Sequence, residues 1–190
     1  MAEVEGVAAA RLRASERCCD LFISRGTTDL TIAEIADVIG VSQRTFYRYF
    51  PTKAESVSPV FDWTTARFEE TITKAAPGAP LPEVLLAAFR AGLGGAQEAR
   101  TRALFPLVFA DAEMWSVFLR KVHDGERSFV SIIAPRLASG ADSVAARTAA
   151  AAVASATRIA LEVMVTADAD PEAVYANTID AFASGVIRQQ

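Results

Sequence analysis

Cysteine and histidine are nearly absent from this chain, which has two cysteines, adjacent at positions 18 and 19, and a single histidine, His123. Neighbours on a helix point about 100° apart, so Cys18 and Cys19 are badly placed for an ordinary disulfide, and no disulfide framework is expected. They read as small buried apolar residues rather than as a redox pair. No Cys or His pair has the spacing of a zinc site, which argues against a structural metal, and His123 reads as a surface or hydrogen-bonded residue. A long apolar run is also missing: the longest uncharged stretch of the alanine-rich C-terminal half lies between Arg147 and Arg158. That is short of the ~20 residues a membrane span needs. Acidic Glu3 and Glu5 precede the first arginine and no apolar segment follows, so a secretory signal is not expected and the reading is cytoplasmic. No nucleophile–base pair, paired-carboxylate motif or phosphate-binding glycine loop is visible, which argues against an enzyme and against any cofactor.

What is present is ample apolar material. Of 190 residues, 52% are hydrophobic and 22% charged, enough for one large domain or for a large and a small one. The formal charge of −4 argues at first against a nucleic-acid partner, because phosphate contacts need Lys and Arg. Distribution matters more than the total. Residues 1–56 carry seven basic and eight acidic side chains, yet within 38–54 Arg44, Arg48 and Lys53 appear without any acid.

Runs of alternating apolar and polar residues are lacking, and the periodicity predicts an all-α fold. A first helix is expected over roughly 8–25, ended by Gly26. Thr31-Ile-Ala-Glu34 has the form of a capping box, and Ile32, Ile35, Ala36 and Ile39 fall at i, i+3, i+4 and i+7 of a short helix with one buried face. Gly40 permits a tight turn, and Ser42 can cap a third helix reaching about Phe50. A fourth helix is expected from beyond Pro51-Thr52 to about Ala75. Further segments are expected near 81–97, 100–109, 111–137, 142–166 and 171–188, about nine helices in all, with breaks at Gly94-Gly95, Pro106, Ser139-Gly140 and Asp170-Pro171.

Ser42-Gln-Arg-Thr-Phe-Tyr-Arg-Tyr-Phe50 carries the most chemistry. Phe46 and Phe50, four apart, can face the core while Gln43, Arg44, Tyr47 and Arg48 fall mostly on other faces. A helix exposing amide, guanidinium and phenol groups suits a DNA major groove, where Arg reads guanine and Gln reads adenine. Lys53 is expected at the start of the next helix, where backbone N–H groups and the dipole also favour a phosphate.

Residues 21–57, through Gly26, Thr31-Ile-Ala-Glu-Ile-Ala36, Gly40-Val-Ser42, Thr45-Phe-Tyr-Arg-Tyr-Phe50 and Thr52-Lys53, closely resemble the DNA-binding domain of the TetR family of repressors. The resemblance implies Gln43, Arg44 and Tyr47 at bases, Thr31, Thr45, Tyr49 and Lys53 at phosphates, and Arg48 in either role. Family members often have an aromatic where this chain has Thr27, and larger apolar or alanine residues where it has Ala14 and Arg17.

The resemblance further implies a helix-turn-helix domain over 1–56 and an effector-binding and dimerisation domain over 57–190. It implies a homodimer that binds a palindromic operator in double-stranded DNA and is released by a small-molecule effector. Aromatic residues are frequent between Phe61 and Phe129, so a cavity there would be mostly apolar. Phe68, Phe89, Phe109, Trp115 and Phe118 are the candidate ligand contacts. Ala149, Ala152, Val153, Ala156, Ala160 and Val163 form a small-residue stripe, and Tyr175, Ile179, Phe182 and Val186 a larger one. Two such hairpins about a two-fold axis would make a four-helix bundle, which marks these stripes as the expected dimer interface.

Overall fold

The computed structural model describes residues 2–137 and 144–185. Among them the chain is all-α, as expected, with nine α-helices: α1 (Ala2–Arg25), α2 (Ile32–Ile39), α3 (Gln43–Tyr49), α4 (Ser58–Lys74), α5 (Leu81–Gly92), α6 (Glu98–Ala110), α7 (Ala112–Ile133), α8 (Val144–Ala167) and α9 (Pro171–Ser184). Several boundaries move for identifiable reasons. Helix α1 begins at Ala2 rather than near residue 8. The expected start of the fourth helix is instead a 3-10 turn over Ala54–Val57, in which the Thr52 hydroxyl accepts from the Glu55 N–H at 3.2 Å, and α4 follows at Ser58. Pro106 does not break the chain but lies inside α6. The break comes at Asp111, whose Oδ1 accepts from the Glu113 and Met114 N–H groups, each at 3.1 Å, and so starts α7. The Ser139-Gly140 break lies outside the described residues.

Two compact units are formed, one from Met1–Trp63 with Ala103–Phe118 and the other from Thr64–Arg102 with Leu119–Gln190. In the first, α2 packs against α1 and α3. Phe22, Ile35, Ile39, Phe46, Phe50 and Val57 are fully buried there, each worth roughly 1.5–3 kcal/mol of transfer free energy. A second set of rings in this unit joins Phe61, Phe105 and Phe118, with Trp115 and Phe109 continuing the chain of contacts at centroid distances of 5.0 Å.

In the second unit α9 packs against α8 and α5. Phe68 meets Phe89, Phe129 and Tyr175, and Tyr175 stacks on Phe89 with centroids 4.5 Å apart. The expected dimer stripes are largely consumed here. Val153, Ala156, Ala160, Tyr175 and Ile179 are buried within the single chain, because the small residues of α8 let α9 approach closely. They therefore have no free surface to offer a partner. Ala149 and Val163 keep partial exposure, Phe182 is 41% exposed, and Val186 lies outside the described residues. Helix α8 is also long and apolar enough by composition to cross a membrane, contrary to the sequence expectation, because the scattered charges leave qualifying windows. Here part of that apolar surface goes into the packing around Ala150, Val153 and Leu161.

Candidate nucleic-acid interface

The turn between α2 and α3 is built from local signals that all agree. Thr31 is in extended conformation and caps α2: its hydroxyl accepts from the Glu34 N–H at 3.3 Å, and its own N–H donates to Glu34 Oε2 at 2.8 Å. Gly40 adopts the left-handed φ of 74° that only glycine takes cheaply, and its N–H closes onto Ala36 and Asp37 carbonyls. Ser42 then caps α3, accepting from the Thr45 N–H at 3.1 Å. Phe46 and Phe50 are fully buried with centroids 5.2 Å apart, which fixes the roll of α3 about its axis.

That roll decides which residues can meet DNA. Gln43, Arg44 and Arg48 are exposed, and Tyr47 is 52% exposed, so the residues expected to read bases stand free at the start and middle of α3. The Arg48 guanidinium lies 5.4 Å from the centroid of the half-buried Tyr49 ring, a cation–π placement that draws the two towards the C-terminal end of the helix. Thr45 accepts a hydrogen bond from Ser42 Oγ at 3.1 Å, which leaves its own hydroxyl proton free to donate.

Thr31 departs from expectation. Its hydroxyl donates to Glu34 Oε2 at 2.6 Å as well as capping the helix, so both of its donors are committed to one carboxylate. Those bonds hold the Glu34 carboxyl below its usual titration range. A phosphate at Thr31 would have to displace an anion already there, so Thr31 serves first as a helix cap.

Lys53 precedes a 3-10 turn rather than an α-helix, which removes most of the helix-terminus argument for a phosphate. The ammonium itself is well placed by other means: Nζ donates to the Thr28 carbonyl at 2.8 Å. Thr28 in turn donates from its hydroxyl to Asp111 Oδ2 at 2.9 Å. Sequence reasoning missed both partners. Asp111 bears a local cap signal, but its contact with Thr28, 83 positions away, has none. Arg17, a departure from the family pattern, donates to the Ile39 carbonyl at 2.9 Å and so supports the C-terminal end of α2 from α1.

The five expected ligand contacts divide between the units, Phe68 and Phe89 in one ring cluster and Phe109, Trp115 and Phe118 in the other. Aromatic frequency along a sequence cannot say which rings meet. Buried Tyr175 carries a hydroxyl without a hydrogen-bond partner among the described residues, and burial pushes its phenol well above the usual range. Burial likewise raises the Cys18 thiol to about 12, which leaves it protonated and poorly nucleophilic.

Comparisons with known proteins agree with this geometry. Residues 18–55 match the family described as bacterial regulatory proteins of the tetR family. The chain is 29% identical over 126 residues to the HTH-type transcriptional regulator TcmR of Streptomyces glaucescens; the match spans 62% of this chain and 55% of that protein's length. Among solved structures, a TetR-family transcriptional regulator from Rhodococcus sp. superposes with a TM-score of 0.56 at 14% identity, covering 92% of this chain and 96% of that one. A TetR-family regulator from Mesorhizobium loti superposes with a TM-score of 0.53 at 17% identity, covering 93% and 96%. These two establish likeness of fold.

Proposed function

We propose that this chain, which belongs to the TetR family of bacterial transcriptional regulators, is a cytoplasmic homodimeric repressor that reads a palindromic operator through α3 and leaves it when a small apolar or amphipathic effector binds. The observation that carries the reading is the presentation of Gln43, Arg44 and Tyr47 on the free face of a helix anchored by Phe46 and Phe50. Arg44 is suited to a bidentate guanine contact and Gln43 to adenine, while Thr45, Tyr49 and Lys53 hold phosphates and Arg48 serves either. Residues 1–56 form the functional DNA-binding domain in this reading, and 57–190 the effector-binding and dimerisation domain. No catalytic role and no cofactor is assigned.

The dimer face is the part of α8 and α9 that the chain leaves accessible, including Ala149, Ala152, Ile159, Val163 and Phe182. A two-fold axis through that face sets each Phe182 against apolar surface of its partner. The effector contacts are apolar and aromatic, with Phe68 and Phe89 from the expected set and the buried Tyr175 hydroxyl as the polar anchor. Repression requires that effector binding favour a dimer whose two α3 helices no longer match the spacing of successive grooves.

The test couples sedimentation to fluorescence anisotropy with duplex DNA. Phe182→Glu is expected to give folded monomers that have lost most of their DNA affinity, and effector titration of the wild type is expected to quench tryptophan fluorescence and release the duplex together. A Phe182→Glu dimer that binds DNA unchanged, or effector binding without DNA release, contradicts the reading.

A further inference from the structure

We propose that Asp111 is a positioning residue for Lys53, acting through Thr28, so that the first turn of α7 sets the strength of a DNA-backbone contact. The proposal rests on the reading of Lys53 as a phosphate contact. A lysine ammonium has three N–H donors on a long flexible stem, and a free one would reach a phosphate only after being ordered. Here one donor is already fixed on the Thr28 carbonyl at 2.8 Å, which leaves two for an oxyanion. Thr28 is itself held from two sides. Its carbonyl also accepts from the Leu30 N–H at 2.8 Å, and its hydroxyl donates to Asp111 Oδ2 at 2.9 Å. Asp111 cannot swing freely, because its other oxygen caps α7 through the Glu113 and Met114 N–H groups at 3.1 Å. One carboxylate thus spans a helix start and the loop that aims the lysine.

The consequence is regulatory. The turn that Asp111 caps carries Trp115, whose ring meets Phe109 and Phe118 at 5.0 Å, and α7 continues to Phe129 in the other ring cluster. A ligand that displaces α7 pulls Asp111 from Thr28, and Lys53 loses its aim without touching the ligand.

Phosphate contacts do not depend on sequence, so the test needs no operator. Anisotropy titrations use a mixed-sequence duplex, long enough for two half-sites, at several salt concentrations. Thr28→Val keeps shape and carbonyl but removes the hydroxyl. It is expected to reduce the magnitude of the slope of log K against log salt by about one to two per dimer, with Thr28→Ser restoring it. In a Lys53→Ala background Thr28→Val is expected to change nothing further, and Asp111→Ser, which keeps an oxygen to cap α7 but has no second oxygen for the Thr28 hydroxyl, is expected to behave as Thr28→Val does. Melting followed by circular dichroism confirms that each variant is folded. If Lys53→Ala lowers the slope but Thr28→Val does not, or if the two effects simply add, the relay is refuted while the phosphate role of Lys53 stands. If Lys53→Ala itself leaves the slope unchanged, both fail.

Discussion

The segment from Thr31 to Lys53 and the helices α8 and α9 obey the same physics but encode it at different ranges. In the first, each backbone decision is local: Thr31 and Glu34 cap each other, Gly40 supplies the left-handed turn, Ser42 caps the next helix. Its chemistry points outward, with Gln43, Arg44 and Tyr47 exposed on a short helix held by two aromatic anchors. In the second, small apolar residues dominate and their partners are set by packing across long separations. A stripe such as Val153, Ala156 and Ala160 fits an intrachain and an interchain neighbour equally well. The lesson is that the face a short, capped helix exposes can be read from its own residues, whereas a surface of small apolar residues cannot be assigned without its partner.

The comparison breaks most visibly if the anchors of α3 are removed. Phe46→Ala empties a fully buried site beside Phe50 and is expected to cost about 3–5 kcal/mol in chemical denaturation, with loss of DNA binding. A cost near zero would mean that α3 is held by something other than this packing.

The same contrast explains what the sequence revealed. The order and approximate positions of the nine helices followed from periodicity and punctuation. The exposure of Gln43, Arg44 and Tyr47 followed from polar groups interleaved with Phe46 and Phe50. The boundary errors at Pro51 and Pro106 arose because proline forbids one N–H without dictating where the helix stops; caps from Thr52 and Asp111 decided that. The stripes of α8 and α9 were seen, but their intrachain burial was not, because alanine spacing records close approach without naming what approaches. The Thr28 to Asp111 bond and the split of the aromatic residues into two clusters are tertiary facts with no local trace.

A smaller effect sharpens the packing side. Tyr175→Phe removes a buried hydroxyl that lacks a partner, so the ligand-free protein is expected to gain stability, up to about 1–3 kcal/mol, while effector affinity falls. Thermal melting with and without effector measures both, and a less stable ligand-free variant would show that the hydroxyl is satisfied in solution. On the recognition side, Thr31→Ala is expected to cost about 1 kcal/mol through the lost cap and to leave the salt dependence of DNA binding unchanged, since Thr31 is committed to Glu34. A reduced salt slope would restore Thr31 as a phosphate contact. The smallest effect concerns the cysteines: with Cys18 and Cys19 fully buried, a thiol reagent at mild pH is expected to label neither until the protein is unfolded. Rapid labelling of the native protein would reopen a redox role.

The central claim, that α3 reads base sequence in a symmetric operator, is tested most directly by selecting bound duplexes from a random pool with the wild type and with Arg44→Ala. The account predicts that the wild type enriches a palindrome with a preferred guanine in each half-site. In Arg44→Ala that one preference is expected to disappear, at a cost of about 1–3 kcal/mol on the selected site. A wild-type pool without symmetry, or identical preferences in the two pools, would contradict it.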